Sequence, residues 1–146
     1  MGARTAERQI QVLASPGDCF DALTDFESYP DWQEAVKECA VRSRDSSGRG
    51  RRVSFVIDAK VKSVAYTLDY SYEEPHLITW DYVEGDVNEI GGEYVLEDLG
   101  DGTTLATYTL RIDPGVWIPG PLAKVLNDQV MRRSVDDLKA RVEHGA

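Results

Sequence analysis

Histidine and cysteine are nearly missing from this chain, two of each in 146 residues. His76 follows Pro75 in a predicted turn and His144 lies at the C-terminal end, so neither is well placed as a general base. A serine or cysteine nucleophile therefore lacks its usual partner. Cys19 and Cys39 are too few for a disulfide framework and too far apart for a CxxC motif, and both read as packing residues. No ligand spacing matches a zinc site, and no segment spells a calcium loop. No metal, cofactor or catalytic residue is assigned. No apolar run approaches the roughly 20 residues a membrane span needs, and the N-terminus has no apolar signal core. The expectation is a cytoplasmic protein without stable membrane insertion. Basic residues are also few, 16 against 26 acidic ones, for a net charge of −10. That balance disfavours nucleic acid and anionic membranes, whose binding depends on lysine and arginine displacing counterions.

What is present is an ordinary globular composition, 42% hydrophobic and 29% charged, in a length that suits one domain over residues 1–146 with an ordered core from about residue 7 to 143. Residues 8–13 alternate, with Ile10 and Val12 on one face, as in a half-buried strand. Ser15 supplies an N-cap, Pro16 fits the first helical position and Asp18 the first turn, so a helix is predicted through Phe20, Leu23 and Thr24. A shorter helical piece starts at Tyr29 and ends near Ala35. Strands follow over 36–44, 51–59, 63–72, 77–83, 88–97 and 104–112. They are broken at Ser47-Gly48, Lys60-Val61-Lys62, Glu74-Pro75, Gly85-Asp86 and Gly100-Asp101-Gly102.

Alternation gives this sheet one apolar face, carrying Val53, Phe55, Ile57, Tyr66, Leu68, Tyr70, Tyr72, Ile78, Trp80, Tyr82, Tyr94, Tyr108 and Leu110. Asp69, Asp81, Glu89, Glu93 and Arg111 fall on the other. A last helix over 121–142, about 33 Å long, is the element large enough to cover the apolar face. Met131, Val135, Leu138 and Val142 form its stripe. Leu122, Val125, Leu126 and Val130 lie on another side of it, so either the helix bends or its first half is covered from two directions. A curved antiparallel sheet around a long helix leaves room for an apolar ligand, and buried tyrosine hydroxyls need partners that a polar network or a ligand can supply.

Two other features read as surface or as turns. Arg42, Arg44, Arg49, Arg51 and Arg52 cluster about Asp45-Ser46-Ser47-Gly48, either a solvated hairpin tip or a docking spot for an acidic partner. Gly48-Arg49-Gly50 and Gly91-Gly92 do not sit between a strand and a helix N-terminus, as a phosphate cradle requires.

The stretches Ala14-Ser15-Pro16-Gly17-Asp18-Cys19-Phe20, Tyr29-Pro30-Asp31-Trp32 and Asp113-Pro114-Gly115-Val116-Trp117-Ile118-Pro119-Gly120-Pro121 resemble the START-like (SRPBCC) superfamily, in its bacterial polyketide cyclase/dehydrase and coenzyme Q-binding branch. The resemblance implies an α+β helix-grip fold: seven curved antiparallel strands around a long C-terminal helix, with two short helices between the first two strands. It also implies a ligand tunnel between sheet and helix, entered near the loop before that helix. The candidate ligand-binding residues are Trp32, Phe55, Tyr66, Tyr70, Trp80, Tyr82, Tyr94, Tyr108, Trp117, Asn127 and Met131. The expected partner is a small hydrophobic molecule, a lipid, isoprenoid or polyketide. The superfamily's aromatase/cyclases use an arginine-bearing pocket, and no inward arginine here matches that pattern. An enzymatic alternative, a cyclase or dehydratase on a poly-ketone chain, needs Glu93 or Asp86 to face inward, as a β-bulge near Gly91-Gly92 could arrange. A further alternative is a protein-interaction module without ligand.

Overall fold

The computed structural model describes residues 4–33, 36–58, 63–113 and 134–143. Strand β1 (Arg4–Val12) leads into helix α1 (Pro16–Thr24), a 3-10 turn (Phe26–Ser28) and the short α2 (Tyr29–Trp32). Six strands follow, β2 (Val36–Arg44), β3 (Gly50–Asp58), β4 (Ser63–Glu73), β5 (Leu77–Gly85), β6 (Glu89–Asp98) and β7 (Thr104–Asp113). Residues 134–143 are helical and are labelled α3.

The start of α1 is where its cap chemistry puts it. The Ser15 hydroxyl accepts from the Asp18 N–H at 3.2 Å, and Pro16 opens the helix. β1 begins at Arg4, earlier than the expected residue 8, because its backbone pairs with β7 from Arg4 opposite Ile112 to Val12 opposite Thr104. The first half of this edge strand is held by the ladder, and its side chains carry little apolar pattern.

The strands form one antiparallel sheet in the order β1-β7-β6-β5-β4-β3-β2. β1 and β2 are thus opposite edges, and the segment 13–35 carries the chain between them. Val53, Ile57, Val64, Leu68, Ile78, Leu96, Ala106 and Leu110 are all buried on the inner face. Against it lie Phe20 and Leu23 of α1, and Val135 and Leu138 of α3, which are wholly buried. Val142 packs against the same core, so the later part of the expected stripe is in place. Lys139 ties α3 to the end of β1, with Nζ donating to the Gln11 carbonyl at 2.9 Å, and the Leu13 N–H donates to the Glu143 carboxylate at 2.8 Å. The remainder of the expected helix, and with it Asn127, Met131 and the Trp117 loop, lies outside the described residues.

The bulge near Gly91-Gly92 that the enzymatic alternative would need is not there. β6 pairs with β7 without a break from Glu89 to Asp98, so Glu93 stays opposite Thr79 and Thr109. Register shifts lie instead between β2 and β3 and between β4 and β5, where Leu68 faces Tyr82 and Thr67 faces Glu84. Just beyond the latter Gly85 has φ +146°, and a Cβ there would lie 2.5 Å from the Ala65 carbonyl oxygen and from Tyr66 Cα. Only glycine fits so close a backbone approach. Among the described residues no helix is long and apolar enough to cross a membrane.

Candidate functional site

The inner face is paved with rings in continuous contact. Phe26 packs on Tyr70 at 4.7 Å between centroids, Tyr70 on Trp80 at 5.9 Å, Trp80 on Tyr108 at 5.6 Å, and Tyr108 stacks on Tyr94 at 4.7 Å. A branch runs through Phe55, stacked on Tyr66 at 5.5 Å. Alternation along β3 to β7 puts all of these side chains but Phe26, which comes from the 3-10 turn, on one face, and the directly paired positions Phe55/Tyr66, Tyr70/Trp80 and Tyr94/Tyr108 bring them together across strands.

Between these rings and the helical layer lies a cavity with about 70 Å³ open to the centre of a water molecule. One water needs about 10–15 Å³ on this measure, so the space exceeds a single buried water. Phe55, Tyr66, Tyr70, Trp80, Tyr94 and Tyr108 line it, as the alternation places them. Leu23, Tyr29, Gln33, Val36 and Ser134 close it from the helical side and the β2 edge, and aliphatic residues such as Ile57, Leu68 and Ile112 fill the wall between the rings. Two other candidates sit elsewhere. Tyr82 lies at the far end of β5 with its hydroxyl donating to the Val87 carbonyl at 2.6 Å. Trp32 is half-buried with its ring edge-on to Tyr29 at 5.2 Å. Trp117, Asn127 and Met131 lie outside the described residues.

Sequence reasoning missed Tyr29, Gln33 and Ser134. Tyr29 and Gln33 are four apart, the spacing of one helical face, and that was their only signal. The aliphatic wall residues fall on the inward alternation and were passed over in favour of rings.

The polarity of this wall is distinctive. Among the described residues that line it none is charged, and the polar groups are the amide of Gln33, the hydroxyl of Ser134, the indole N–H of Trp80 and the tyrosine phenols. Burial pushes the phenols of Tyr29, Tyr66, Tyr70, Tyr94 and Tyr108 well above their ordinary pKa, so they are neutral at physiological pH. For Tyr108 a hydrogen bond with Ser134 offsets part of that rise. Burial likewise pushes the nearby Cys39 thiol up to about 12, with Glu27 adding to it. Such a thiol is a packing group and a poor nucleophile.

The carboxylates an enzymatic reading requires have other work. Asp86 accepts from the Ala65 N–H at 2.8 Å and Glu93 lies on the outer face. Arg111 pairs outside the sheet with Glu89 at 2.5 Å. His76 places Nδ1 3.0 Å from the Leu96 carbonyl oxygen, away from the cavity. The arginines of the β2–β3 hairpin are largely matched within the chain: Arg44 with Glu27 at 3.1 Å, Arg52 with Asp69 at 2.8 Å, and Arg49 with Glu74 at 2.7 Å.

A family model described as polyketide cyclase/dehydrase and lipid transport matches residues 3–143. Among solved structures the chain is similar to a START superfamily protein from Mycobacterium smegmatis, with 24% identity, a TM-score of 0.85, and 97% of this chain and 99% of that one covered. It is similar to a protein from Thermus thermophilus at 19% identity, with a TM-score of 0.83 over 98% and 99% of the two chains. It is also similar to the ZhuI aromatase/cyclase from Streptomyces sp. R1128 at 18% identity, with a TM-score of 0.79 over 98% and 93%. At these identities the likeness shows a shared START, or helix-grip, fold. Among curated proteins none matches.

Proposed function

The chain belongs to the polyketide cyclase/dehydrase and lipid-transport family, and on that footing we propose that it binds and carries a small hydrophobic molecule, of lipid, isoprenoid or polyketide type, between the sheet and the helical layer. One observation carries this reading: a ring-lined cavity whose described lining residues include no charged side chain. Such a wall favours apolar, flat molecules through burial and ring stacking. Its described residues offer no group that would be ionised at neutral pH to act as a base. The residues proposed to contact the ligand are Phe55, Tyr66, Tyr70, Trp80, Tyr94 and Tyr108, with Tyr29 and Gln33 added from the helical side. Trp32 and Tyr82, which do not line the cavity, and Trp117, Asn127 and Met131, which lie outside the described residues, remain in the proposal as candidates.

The cyclase or dehydratase alternative requires a group that moves protons, and Glu93 and Asp86 do not supply it in their present positions. The carrier reading is therefore preferred. It is tested by native mass spectrometry of the protein purified from its own host, under gentle and then denaturing conditions. A stoichiometric apolar adduct, released on denaturation, is expected. If none appears, and an environment-sensitive apolar dye also fails to bind, the carrier reading is lost and an interaction module takes its place.

A further inference from the structure

Four of the seven phenol groups about the inner face have a hydrogen-bond partner, and Tyr66, Tyr70 and Tyr94 have none among the described residues. Tyr29 donates to the Leu23 carbonyl at 2.5 Å, Tyr72 to the Gly50 carbonyl and Tyr82 to the Val87 carbonyl, while Tyr108 bonds with Ser134. The Tyr94 hydroxyl oxygen is sealed from solvent and has no hydrogen-bond partner among the described residues, although its ring lines the cavity and is only 5% exposed. Buried hydroxyls without a partner are rare because nothing offsets the water they give up.

We propose that the molecule taken into the cavity is uncharged and bears an acceptor oxygen, a carbonyl being the simplest, which receives the hydrogen bond that the Tyr94 hydroxyl makes with none of the described residues. This rests on the ligand-binding reading above and narrows it from an apolar molecule to an apolar molecule with one placed oxygen. A phenol is a better donor than acceptor, and burial keeps the Tyr94 proton on its oxygen at neutral pH. An ionised ligand is disfavoured because the described wall holds no opposite charge to replace its hydration. As the side chains now stand the hydroxyl is sealed, so uptake includes a rotation of the rings packed on Tyr94. Those are Tyr108, stacked at 4.7 Å, and Trp80, tilted at 6.2 Å.

Fluorene and fluorenone are matched probes, the same fused rings differing by one carbonyl oxygen. Their binding to the full chain is followed by quenching of tryptophan fluorescence and by calorimetry, for the wild type, Tyr94→Phe and Tyr72→Phe. The hydroxyl of Tyr72 already has its partner in Gly50. The ratio of fluorenone to fluorene affinity is expected to be about tenfold higher in the wild type than in Tyr94→Phe, the size of one good hydrogen bond, and to hold at the wild-type value in Tyr72→Phe. Fluorenecarboxylate is expected to bind at least about tenfold more weakly than fluorene. A ratio that Tyr94→Phe leaves unchanged overturns the placed oxygen, and carboxylate binding as tight as that of fluorene overturns the neutral ligand; in both cases hydrophobic binding still stands. If no probe binds to a folded wild type, the ligand-binding reading falls and this proposal falls with it.

Discussion

The Trp80 indole occupies the space that a side chain at Gly92, its partner across β5 and β6, would need. A Cβ on Gly92 would lie 2.8 Å from Trp80 Cζ2 and 2.2 Å from the Thr109 carbonyl oxygen. The glycine therefore lets the indole lie low against the sheet, where it forms part of the cavity wall. Gly91, one residue earlier, is not so constrained, since a Cβ there would meet Arg111 Nη2 at 3.5 Å, an ordinary contact.

Gly92→Ala should thus be costly and Gly91→Ala mild. The first forces β6 away from Thr109 or lifts the indole, with a loss of about 1–3 kcal/mol for overpacking. The second should stay within about 0.5 kcal/mol. Urea unfolding of the two variants measures the difference, and equal losses would show that the close approach at Gly92 is easily relieved.

Tyr29 and Tyr94 make a second matched pair. Both rings are buried on the cavity, but among the described residues only the Tyr29 hydroxyl has a partner, the Leu23 carbonyl. Tyr29→Phe strands that carbonyl and should cost about 1–2 kcal/mol. Tyr94→Phe removes a hydroxyl that none of the described residues satisfies and should cost close to nothing, or stabilise the protein slightly. Thermal unfolding in the absence of added ligand reads both, and a comparable loss for Tyr94→Phe would mean that its hydroxyl is satisfied after all.

The sheet was legible because alternation is strict where one face is buried: 53/55/57 and 106/108/110/112 could take no other register. The start of α1 was legible from Ser15, Pro16 and Asp18. The early half of β1 was not, because its pairing with β7 uses backbone groups that carry no side-chain signature. Nor was the register shift opposite Tyr82, which depends on how β4 and β5 meet and shows in the sequence only as Gly85. For the site, alternation found the rings of the sheet. It could not tell which side of a four-residue helix faces the cavity, so Tyr29, which lines it, was not named. Arg49 was read as part of a charged hairpin tip because Asp21, Thr24 and Glu74, its partners, are 25 or more residues away in sequence.

Arg49 is the pin that holds the hairpin to α1 and to the β4–β5 turn. Its guanidinium donates to Thr24 Oγ1 at 2.9 Å and to Glu74 at 2.7 Å, and lies 4.9 Å from the centroid of the Phe20 ring. Arg49→Ala should cost about 1–2 kcal/mol, since the side chain is partly exposed and its charge is screened. Arg49→Lys should recover only part of that, because an ammonium cannot reach Thr24 and Glu74 in one plane while covering the ring. If lysine restores full stability, charge alone matters and the fork geometry does not.

The neutral wall predicts a sharp alkaline limit. The phenols of Tyr29, Tyr66, Tyr70, Tyr94 and Tyr108 are raised by burial, and the Cys39 thiol is pushed up to about 12 for the same reason. Each holds its proton more firmly when folded, so its contribution to stability is whole below the unfolded pKa and is lost as pH rises toward the folded one. Loss begins near pH 9 for the thiol and near pH 10 for the phenols, their ordinary values. Each group adds up to about 1.4 kcal/mol per pH unit, so five phenols together reach about 7 kcal/mol per unit. Against a typical stability of about 5–15 kcal/mol, the fold should give way within about two units above pH 10. The expected record is a single step in which phenolate absorbance and loss of β circular dichroism coincide, preceded by the partial titration of the half-buried Tyr82. A gradual rise of the full phenolate signal with the sheet intact would mean that water already reaches the rings, and the cavity would then be a solvated cleft.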